Sequence, residues 1–407
     1  MEIENRKIAQ NQVKSHPQNL NSKVEIKMRP ENYQPVEHPA SHEFELYFGP
    51  NHPGIEGNYA LQVRFSGDEV VGVKADAGYL HRGFEKIMEE RLWIQNVALV
   101  PRICVPDPPP MEETYAQAVE MLGGLEVPER AQWIRAMLLE MSRIAAHLFI
   151  VGGTSATIGQ YSSMFWGIPD RDYILDLFEE IAGARIYLMF ITPGGVRRDI
   201  PENLLAKLSH LLDYLEARLP EYDDLFFDNP VFHKRAEGIG KMTAEQALEW
   251  GVTGPNLRAC GLPFDVRRDD PYLIYEQLEF AIPTETGGDV LARTMIRRSE
   301  IIESIKILRQ IIQRLPHIKG PIRCPLPNPL AWNIPEGNAY ARTEAQKGEL
   351  AFYVVSSGGA KPWRVHVRGP SSMHAVQVLE KLCLGGRIED IAMIMFSLDA
   401  CPPEVDR

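Results

Sequence analysis

The chain has 407 residues, of which 44% are hydrophobic, so it is long enough to bury a substantial core in one large domain or in about two or three smaller ones. Its formal net charge of −12 argues against a nucleic-acid-binding protein, which would carry a basic stripe. The longest apolar runs, "IYLMFI" at 186–191 and "IAMIMF" at 391–396, are too short to cross a membrane, and the N-terminus lacks the apolar core of a signal peptide.

The N-terminal part of the sequence predicts an arm followed by a small sheet. Residues 1–42 are polar, with prolines at 17, 30, 35 and 39, which predicts an extended or disordered arm. Residues 43–78 alternate apolar and polar side chains as strands do, and Gly67-Asp68 is a turn candidate inside "YALQVRFSGDEVVGVKAD". A loop rich in Gly and Pro, "FGPNHPGIEGN" at 48–58, joins the first strand, "HEFELYFG", to this predicted hairpin.

Residues 110–315 predict a central helical bundle. Thr243 and Gln246 form a capping box at the start of "TAEQALEWG", and a long helix is predicted at about 287–314. The other stretches with helical periodicity are "PPPMEETYAQAVEMLGG", "VPERAQWIRAMLLEMSRIAAHLFIVGG", "PDRDYILDLFEEIAGARIYLMFI" and "PENLLAKLSHLLDYLEARL".

Residues 340–407 predict a C-terminal part that mixes strand and helix. It follows a stretch at 316–337 that is too rich in proline for either element. We read "GELAFYVVSSGGAKPWRVHVRGP" as a β-hairpin and "SMHAVQVLEKLCLGG" as a helix. The expected fold class is therefore α+β, with a small N-terminal antiparallel sheet, a central helical bundle, and a C-terminal β-hairpin plus helix.

Two short stretches carry a cysteine followed three residues later by an acid. These are "RICVPD", with Cys104 and Asp107, and "LDACPPE", with Cys401 and Glu404. The five cysteines are odd in number and widely spaced, and none forms Cys-x-x-Cys, so a disulfide framework, a zinc site and a ferredoxin pattern are all disfavoured. For either stretch alone, a buried thiol beside an unrelated acid is the simpler interpretation.

A second set of polar residues lies in a predicted helix whose other positions are mostly apolar. Glu140, Arg143 and His147 fall at i, i+3 and i+7, which places them on one helical face. Buried charges need partners, so this polar trio is either a structural ion pair with a satisfied histidine or part of a catalytic site. The charged stretches "GYLHRGFEK" at 78–86 and "TGPNLRACGLPFDVRRDDPY" at 253–272 do not identify a reaction by themselves.

Taken together, these stretches closely resemble the hydrogenase-like D component of complex I (NADH:quinone oxidoreductase) over about residues 44–407. The resemblance implies a NiFe-hydrogenase large-subunit-like domain at 43–407, a fold shared with the energy-converting membrane NiFe hydrogenases. The motifs that carry it are "FGPNHPGIEG", "GYLHRGFEKIMEER", "VPERAQWIRAMLLEMSRIAAHL", "GARIYLMFITPGGVRRDIP", "AEGIGKMTAEQALEWGVTGPNLRACGLPFDVRR", "TETGGDVLARTMIRRSEIIESI", "EAQKGELAFYVVSSGGAKPWRVHVRGP" and the terminal "EVDR".

This resemblance relates the two cysteine stretches to metal-binding motifs of the hydrogenases. In the hydrogenases, two Cys-x-x-Cys motifs bind nickel and iron through four thiolates. Here Cys104 and Cys401 match the first cysteine of each motif, whereas Asp107 and Glu404 replace the second. Two soft thiolates and two hard carboxylates are a poor match for nickel, so we expect no NiFe centre. We assign no metal ligand in this chain, and a mixed hard and soft site for another metal stays an open alternative.

The quinone-binding positions of complex I differ in this sequence. Glu56 stands where the family has its quinone-head-group histidine, although the preceding His52 matches. Val105 stands where the family has its quinone-binding tyrosine. Glu56 donates a hydrogen bond only when it is protonated, and Val105 donates none, so the usual quinone chemistry is in doubt. The membrane-bound sulfane-sulfur reductases of the same superfamily share such intermediate features.

The resemblance also implies electron transfer from a partner. Family members place an arginine at the position of Arg82, and a histidine at the position of Tyr187, near a 4Fe–4S cluster held by a small iron–sulfur subunit. Arg102 matches the arginine before the first cysteine motif and would hold nearby carboxylates in place. No cofactor is expected on this chain alone.

The leading hypothesis is a redox-coupling subunit of a complex-I-like membrane oxidoreductase, bound peripherally at the cytoplasmic face and partnered by the iron–sulfur subunit and by other peripheral-arm and membrane-arm subunits. The terminal acceptor is either a quinone or a sulfane/polysulfide species, and its reduction would be coupled to ion pumping. The alternatives are a non-catalytic scaffold of the same complex and a hydrogenase large subunit. The predicted catalytic residues are His52, Glu56, Asp107 and Glu404. The expected acceptor pocket is lined by these four residues and by Cys104, Cys401, Val105 and Arg102.

Overall fold

The computed structural model describes residues 43–52, 57–326, 328 and 330–407. The predicted arm at 1–42 and the predicted catalytic residue Glu56 lie outside this part of the chain.

The N-terminal sheet has the predicted antiparallel order β1-β2-β3. Its strands are β1 (Glu43–Phe48), β2 (Ala60–Ser66) and β3 (Glu69–Asp76). The predicted turn at Gly67-Asp68 joins β2 to β3, and Gly67 has a φ of 67°, which glycine adopts without steric penalty. Alternate side chains of β2, including Leu61, Val63 and Phe65, are buried in the main hydrophobic core.

The central part of the chain is helical, as predicted. The helix α3 (Glu129–Thr157) is buried along most of its length and packs against α4 (Tyr161–Ala182) and α10 (Val290–Arg314). The remaining α-helices in this part are α1 (Phe84–Glu90), α2 (Pro108–Gly123), α5 (Leu204–Tyr222), α6 (Pro230–Ala236), α7 (Ala244–Glu249), α8 (Pro255–Arg258) and α9 (Val266–Asp269). Short 3₁₀ segments lie at Trp93–Ala98, Val100–Arg102, Tyr275–Gln277 and Leu315–His317, and a π-helical turn lies at Asp223–Phe227.

The prediction of continuous helix through "GARIYLMFI" was wrong. Helix α4 ends at Ala182, because Gly183 adopts the left-handed conformation (φ 77°) that terminates helices. The backbone N–H groups of residues 189–191 donate to the buried carboxylate of Glu112 at 2.7–3.0 Å, instead of to a helical carbonyl. The chain then forms a short ribbon of β4 (Ile191–Thr192) and β5 (Gly195–Val196).

The C-terminal sheet has three strands where the sequence predicted a hairpin. The additional strand, β6 (Gly337–Ala345), pairs with β7 (Gly348–Ser356), which pairs with β8 (Pro362–Arg368). The predicted helix after the sheet is confirmed as α11 (Ser371–Met373), a π-helical turn (His374–Val378) and α12 (Leu379–Cys383). The chain continues through α13 (Asp390–Leu398) and α14 (Pro402–Asp406).

The turn between β6 and β7 is buried, which is unusual for a polar hairpin tip. Ala345 pairs with Gly348, so Gln346 and Lys347 form a two-residue turn, and both side chains are almost fully withdrawn from solvent. The tip fits because two glycines meet there: a Cβ on Gly254 would lie 2.3 Å from the Cα of Gly348. This close approach brings a lysine into the interior beside the cysteine stretches.

In the part of the chain that the structure describes, none of the helices combines the length and the apolar character that a bilayer span requires.

Candidate functional site

The two cysteine stretches meet in the structure. Ligand atoms of Cys104, Cys401 and Glu404 all lie within 4.8 Å of one another, and all three side chains are buried. Cys104 follows the 3₁₀ segment Val100–Arg102, whereas Cys401 immediately precedes α14. We call these three side chains the thiol site.

The terminal segment that carries Cys401 is fixed by hydrogen bonds to two loops. The backbone N–H of Ser371 donates to Oε1 of Glu404 (2.9 Å), and the hydroxyl of Ser371 accepts from the N–H of Cys401 (3.1 Å). The carboxylate of Asp406 accepts from the backbone N–H groups of Gly78 (2.8 Å) and Leu80 (2.7 Å). The stretch "GYLHRG" is therefore held against the last residues of the chain.

The two thiols of the site differ in their environments. Both cysteines are free, and their sulfur atoms lie within 4.8 Å of each other. The hydrogen bond from Cys104 lowers the pKa of Cys401, with further contributions from Lys347 and the backbone N–H of Val105. Burial raises the pKa of Cys104 well above its ordinary value. The arrangement therefore favours a thiolate at Cys401 that accepts from a thiol at Cys104.

Glu404 is held in a cramped and buried position. A Cβ on Gly369 would lie 2.4 Å from the Cγ of Glu404, so only glycine leaves room for this carboxyl group. Burial raises the pKa of Glu404, although Lys347 and hydrogen bonds from Ser371 and Cys104 oppose the shift. The carboxyl group can therefore hold a proton beside the thiols.

Lys347 brings a buried positive charge to the thiol site. Its ammonium group lies 3.2 Å from Oδ1 of Asp399 and donates to Oε1 of Gln346 (2.9 Å). Burial alone would lower the pKa of Lys347, but the negative charges of Asp399, Cys104, Cys401 and Glu404 outweigh it and raise the pKa well above its ordinary value. Sequence reasoning missed this residue, because a Gln-Lys turn between strands ordinarily faces solvent. The only local signal was the glycine that follows it.

Asp107 does not join the thiol site. It is buried at the start of α2, where its carboxylate accepts from the hydroxyl of Ser142 (2.6 Å) and from the backbone N–H of Gln346 (2.8 Å). Three of the expected pocket residues, Cys104, Cys401 and Glu404, converge in the thiol site, whereas Asp107 supports the hairpin tip. Its predicted catalytic role stays a prediction.

The predicted polar trio belongs to a buried ionic network next to the turn between β6 and β7. Glu140 accepts from Arg267 (3.1 Å) and from Tyr275 (2.6 Å), and Arg143 lies 3.6 Å from Glu140. His147 hydrogen-bonds through Nε2 to Glu300 (2.9 Å).

The trio is connected to the thiol site through Gln346. The side-chain amide of Gln346 lies 3.2 Å from Nδ1 of His147, and it also donates to Asp399. Burial lowers the pKa of His147, against the opposing effect of Glu300, so a neutral imidazole is favoured. Each member of the trio has at least one polar partner, as a structural role requires, although Nε of Arg143 makes no hydrogen bond.

A cationic edge formed by Arg82, Arg102 and Tyr187 lies next to the thiol site. The guanidinium of Arg82 donates to the backbone carbonyl of Arg102 (2.8 Å), and that of Arg102 lies 5.1 Å from the ring centroid of Tyr187. Partial burial lowers the pKa of Arg82, against opposing contributions from Tyr187, Cys401 and Asp406. The structure thus brings together the residues predicted to face a partner's cluster.

Two further predicted pocket residues, Val105 and His52, are exposed at the surface. Val105, directly after Cys104, is 36% exposed. His52 is exposed, and its ring meets the ring of Phe48 edge to face at 5.0 Å. Gly57 lies beside the residue that follows Cys401, since a Cβ on Gly57 would lie 3.0 Å from Cγ of Pro402.

The site combines sulfur and oxygen donors with a buried positive charge. It offers two thiols and one carboxyl group, a set of three donors that a borderline metal ion could accept. The ammonium of Lys347 favours anions, including thiolates and anionic substrates. A thiolate next to a second thiol is suited to attack on sulfur–sulfur bonds.

Comparisons with known proteins agree on one family. The family model described as respiratory-chain NADH dehydrogenase, 49 kDa subunit, matches residues 157–333 and 329–407. The NADH-quinone oxidoreductase D subunit of Thermosipho melanesiensis is 48% identical over 90% of this chain and 100% of its own length. The F420H2 dehydrogenase D subunit of Methanosarcina mazei is 38% identical over 90% of this chain and 98% of its own.

A solved structure is also similar to this chain. It is described as the membrane-bound sulfane sulfur reductase, an archaeal respiratory membrane complex. The TM-score is 0.88 at 46% sequence identity, over 91% of this chain and 100% of the other.

Proposed function

The chain belongs to the family of the 49 kDa subunit of respiratory-chain NADH dehydrogenase, and from this premise we propose that it forms the terminal electron-acceptor site of a complex-I-like oxidoreductase that reduces sulfane sulfur. The family membership makes it an oxidoreductase subunit that works within a multi-subunit assembly. The acceptor, the iron–sulfur partner, the coupling to ion pumping and the peripheral position at the cytoplasmic face are parts of the proposal.

One observation carries the choice of acceptor: Cys104, Cys401 and Glu404 form a single buried group beside the charge of Lys347. A polysulfide dianion is attracted by this ammonium and reacts with thiolates. Val105 offers no hydrogen bond to a quinone oxygen. The similarity to the sulfane sulfur reductase structure supports the same choice.

The electron donor in this proposal is a 4Fe–4S cluster of a small partner subunit. Arg82 and Tyr187 form a partly exposed edge beside the thiol site, which is the position from which a cluster could pass electrons inward. The chain itself holds no NiFe centre in this proposal, because carboxyl groups replace two of the four thiolates and that of Asp107 is engaged by Ser142 and Gln346.

The test is the acceptor specificity of the purified intact complex with a low-potential viologen donor. Polysulfide, a soluble quinone analogue and protons are offered in parallel. We expect sulfide production with negligible quinone turnover and no hydrogen. Glu404→Gln should lower the rate of sulfide formation, whereas Glu389→Gln, a change in an exposed carboxylate remote from the thiols, should not. Fast quinone reduction without sulfide would overturn the proposal.

Quinone reduction is the second candidate function. It is favoured by the 48% identity to a D subunit of NADH-quinone oxidoreductase. A quinone site in this chain would have to use groups other than a tyrosine at position 105, so quinone turnover that is insensitive to Cys401→Ser would identify it.

A further inference from the structure

We propose that Cys401 acts as a nucleophile that takes one sulfur atom from polysulfide as a persulfide, and that Cys104 resolves this persulfide by forming a disulfide with Cys401. This inference deepens the proposed function and rests on it.

The two thiols are close together but have different electrostatic environments. The sulfur atoms of Cys104 and Cys401 lie within 4.8 Å of each other, so a disulfide requires only a local movement of the two side chains. Hydrogen bonding and the charge of Lys347 lower the pKa of Cys401, whereas burial raises the pKa of Cys104. Cys401 thus has the environment of a thiolate, and Cys104 that of a protonated resolving thiol.

The first step transfers sulfur without any change in electron count. The Cys401 thiolate attacks a sulfur atom at the end of the polysulfide Sₙ²⁻, and the S–S bond next to it breaks. The products are a Cys401 persulfide anion and the shorter polysulfide Sₙ₋₁²⁻, which leaves with the electron pair. The buried ammonium of Lys347 offsets the negative charge that accumulates at the site.

The second step releases sulfide. The sulfur of Cys104 attacks Sγ of Cys401, a disulfide forms, and the terminal sulfur leaves as HS⁻ with the proton that Cys104 gives up through Glu404. Two electrons from the partner's iron–sulfur cluster and one proton then restore the Cys104 thiol and the Cys401 thiolate. The balance is Sₙ²⁻ + 2e⁻ + H⁺ → Sₙ₋₁²⁻ + HS⁻.

The thiol site lies close to the surface along the chain. Both thiols are buried, whereas Val105, the residue that follows Cys104, is 36% exposed. The other thiols differ from Cys401 in their electrostatics: burial raises the pKa of Cys260, Cys383 and Cys324.

The experiment uses the purified intact complex, fully reduced and then freed of its electron donor, and exposes it to inorganic polysulfide. Free thiols are alkylated and the peptides are analysed by mass spectrometry. In the wild-type complex we expect a Cys104–Cys401 disulfide and one HS⁻ released. In Cys104→Ser we expect one additional sulfur atom on Cys401, and in Cys401→Ser we expect no sulfur on Cys104.

Two controls distinguish the reaction of polysulfide with Cys401 from its non-specific reaction with other thiols. Cys324 is the most exposed thiol, so labelling there before Cys401 indicates non-specific chemistry and counts against the proposal. Cys383→Ser should leave both sulfur transfer and steady-state sulfide production unchanged. The wild-type measurement needs no substitution, so it tests the disulfide even where a variant fails to assemble.

The outcomes distinguish this inference from the proposed function. If Cys401→Ser produces sulfide at the wild-type rate, or if Cys104→Ser carries no extra sulfur on Cys401, the persulfide mechanism is wrong while sulfane-sulfur reduction stands. If the wild-type complex makes no sulfide under reducing conditions, the proposed function itself is wrong. A purified complex that contains stoichiometric zinc and whose thiols do not react with polysulfide would also overturn the inference. Both sulfurs would then be metal ligands.

Discussion

The ammonium group of Lys347 lies 3.2 Å from the carboxylate of Asp399, although both residues are only 2% exposed. Lys347 lies at the tip of the β6–β7 hairpin, and Asp399 directly follows α13. Since an isolated buried charge is strongly disfavoured, the two groups hold each other in place. The same ammonium then acts on the thiols of Cys104 and Cys401.

The first prediction concerns this charge. Lys347→Met removes a cation from beside the Cys401 thiolate, so the thiol pKa should rise and the pH profile of sulfide production should move to higher pH. It also leaves Asp399 without its main partner, which should destabilise the protein by about 3–5 kcal/mol. The measurements are the pH–rate profile of the intact complex and its thermal melting temperature.

Two further variants separate the two effects of Lys347. The double variant Lys347→Met/Asp399→Asn removes both charges and should recover much of the lost stability while keeping the shifted pH profile. Lys361→Met, which removes an exposed ammonium 3.9 Å from Glu90, should change neither quantity. A Lys347→Met complex with the wild-type pH profile would contradict the electrostatic role.

The second prediction concerns the close approach of two glycines. Gly254→Ala places a methyl group 2.3 Å from the Cα of Gly348, a backbone atom that cannot move without displacing the hairpin tip. We expect a loss of stability beyond the range of about 1–3 kcal/mol that is usual for overpacking, and little assembled complex. The matched control is Gly238→Ala, at a residue that also has positive φ (76°) but has no heavy atom within 4 Å of the added Cβ. Equal yields of the two variants would argue against the tight packing.

The third prediction concerns pH and Glu112. Burial raises the pKa of Glu112 to about 7 from an ordinary value of 4.5, against the opposing effect of three backbone N–H donors. The folded state therefore favours the protonated form, so this contribution to stability is complete below about pH 4.5 and is lost as the pH rises through 7. Its size is at most about 3 kcal/mol.

Glu112→Gln tests this dependence, because glutamine stays neutral and keeps an oxygen for two of the three donors. Between pH 5 and pH 8 the wild-type melting temperature should fall relative to that of Glu112→Gln. The exposed residue Glu126 supplies the control, since Glu126→Gln should follow the wild-type curve. Parallel curves for wild type and Glu112→Gln would show that the carboxylate stays ionised across this range.

The fourth prediction concerns Arg82 and the partner's cluster. Replacing Arg82 by Met removes a positive charge that stabilises the reduced, more negative cluster, so the reduction potential should become more negative by tens of millivolts. Arg82→Lys should recover part of the shift, and Arg387→Met, at an exposed site, should cause none. Paramagnetic resonance during a redox titration of the intact complex measures the potential. An unchanged potential in Arg82→Met would place the cluster elsewhere.

Features that depend on neighbouring residues were predictable from the sequence. The capping box is confirmed by hydrogen bonds from Gln246 N–H to Oγ1 of Thr243 (3.2 Å) and from Thr243 N–H to Oε1 of Gln246 (2.9 Å). The turn at Gly67 was predictable for the same reason, since a glycine between two alternating stretches determines the local backbone.

Features that depend on distant residues were not predictable in this way. The irregular backbone before β4 arises because Glu112, on a different helix, takes the N–H groups that a helix would use. The prediction that Cys104 lies close to Cys401 came from the family resemblance and not from the spacing of the two residues in the sequence. Lys347 was missed because its burial depends on a gap between Gly254 and Gly348 that no local pattern reveals.

The buried hairpin tip has a consequence for how the protein matures. Lys347 reaches the thiols only when the β6–β7–β8 sheet has docked, and the last residues of the chain are fixed against the loop at 78–80 by Asp406. In the proposed mechanism, the environment that favours the Cys401 thiolate therefore forms only when the sheet and the terminal segment have both docked. Folding of the chain and activation of the thiol site would then coincide.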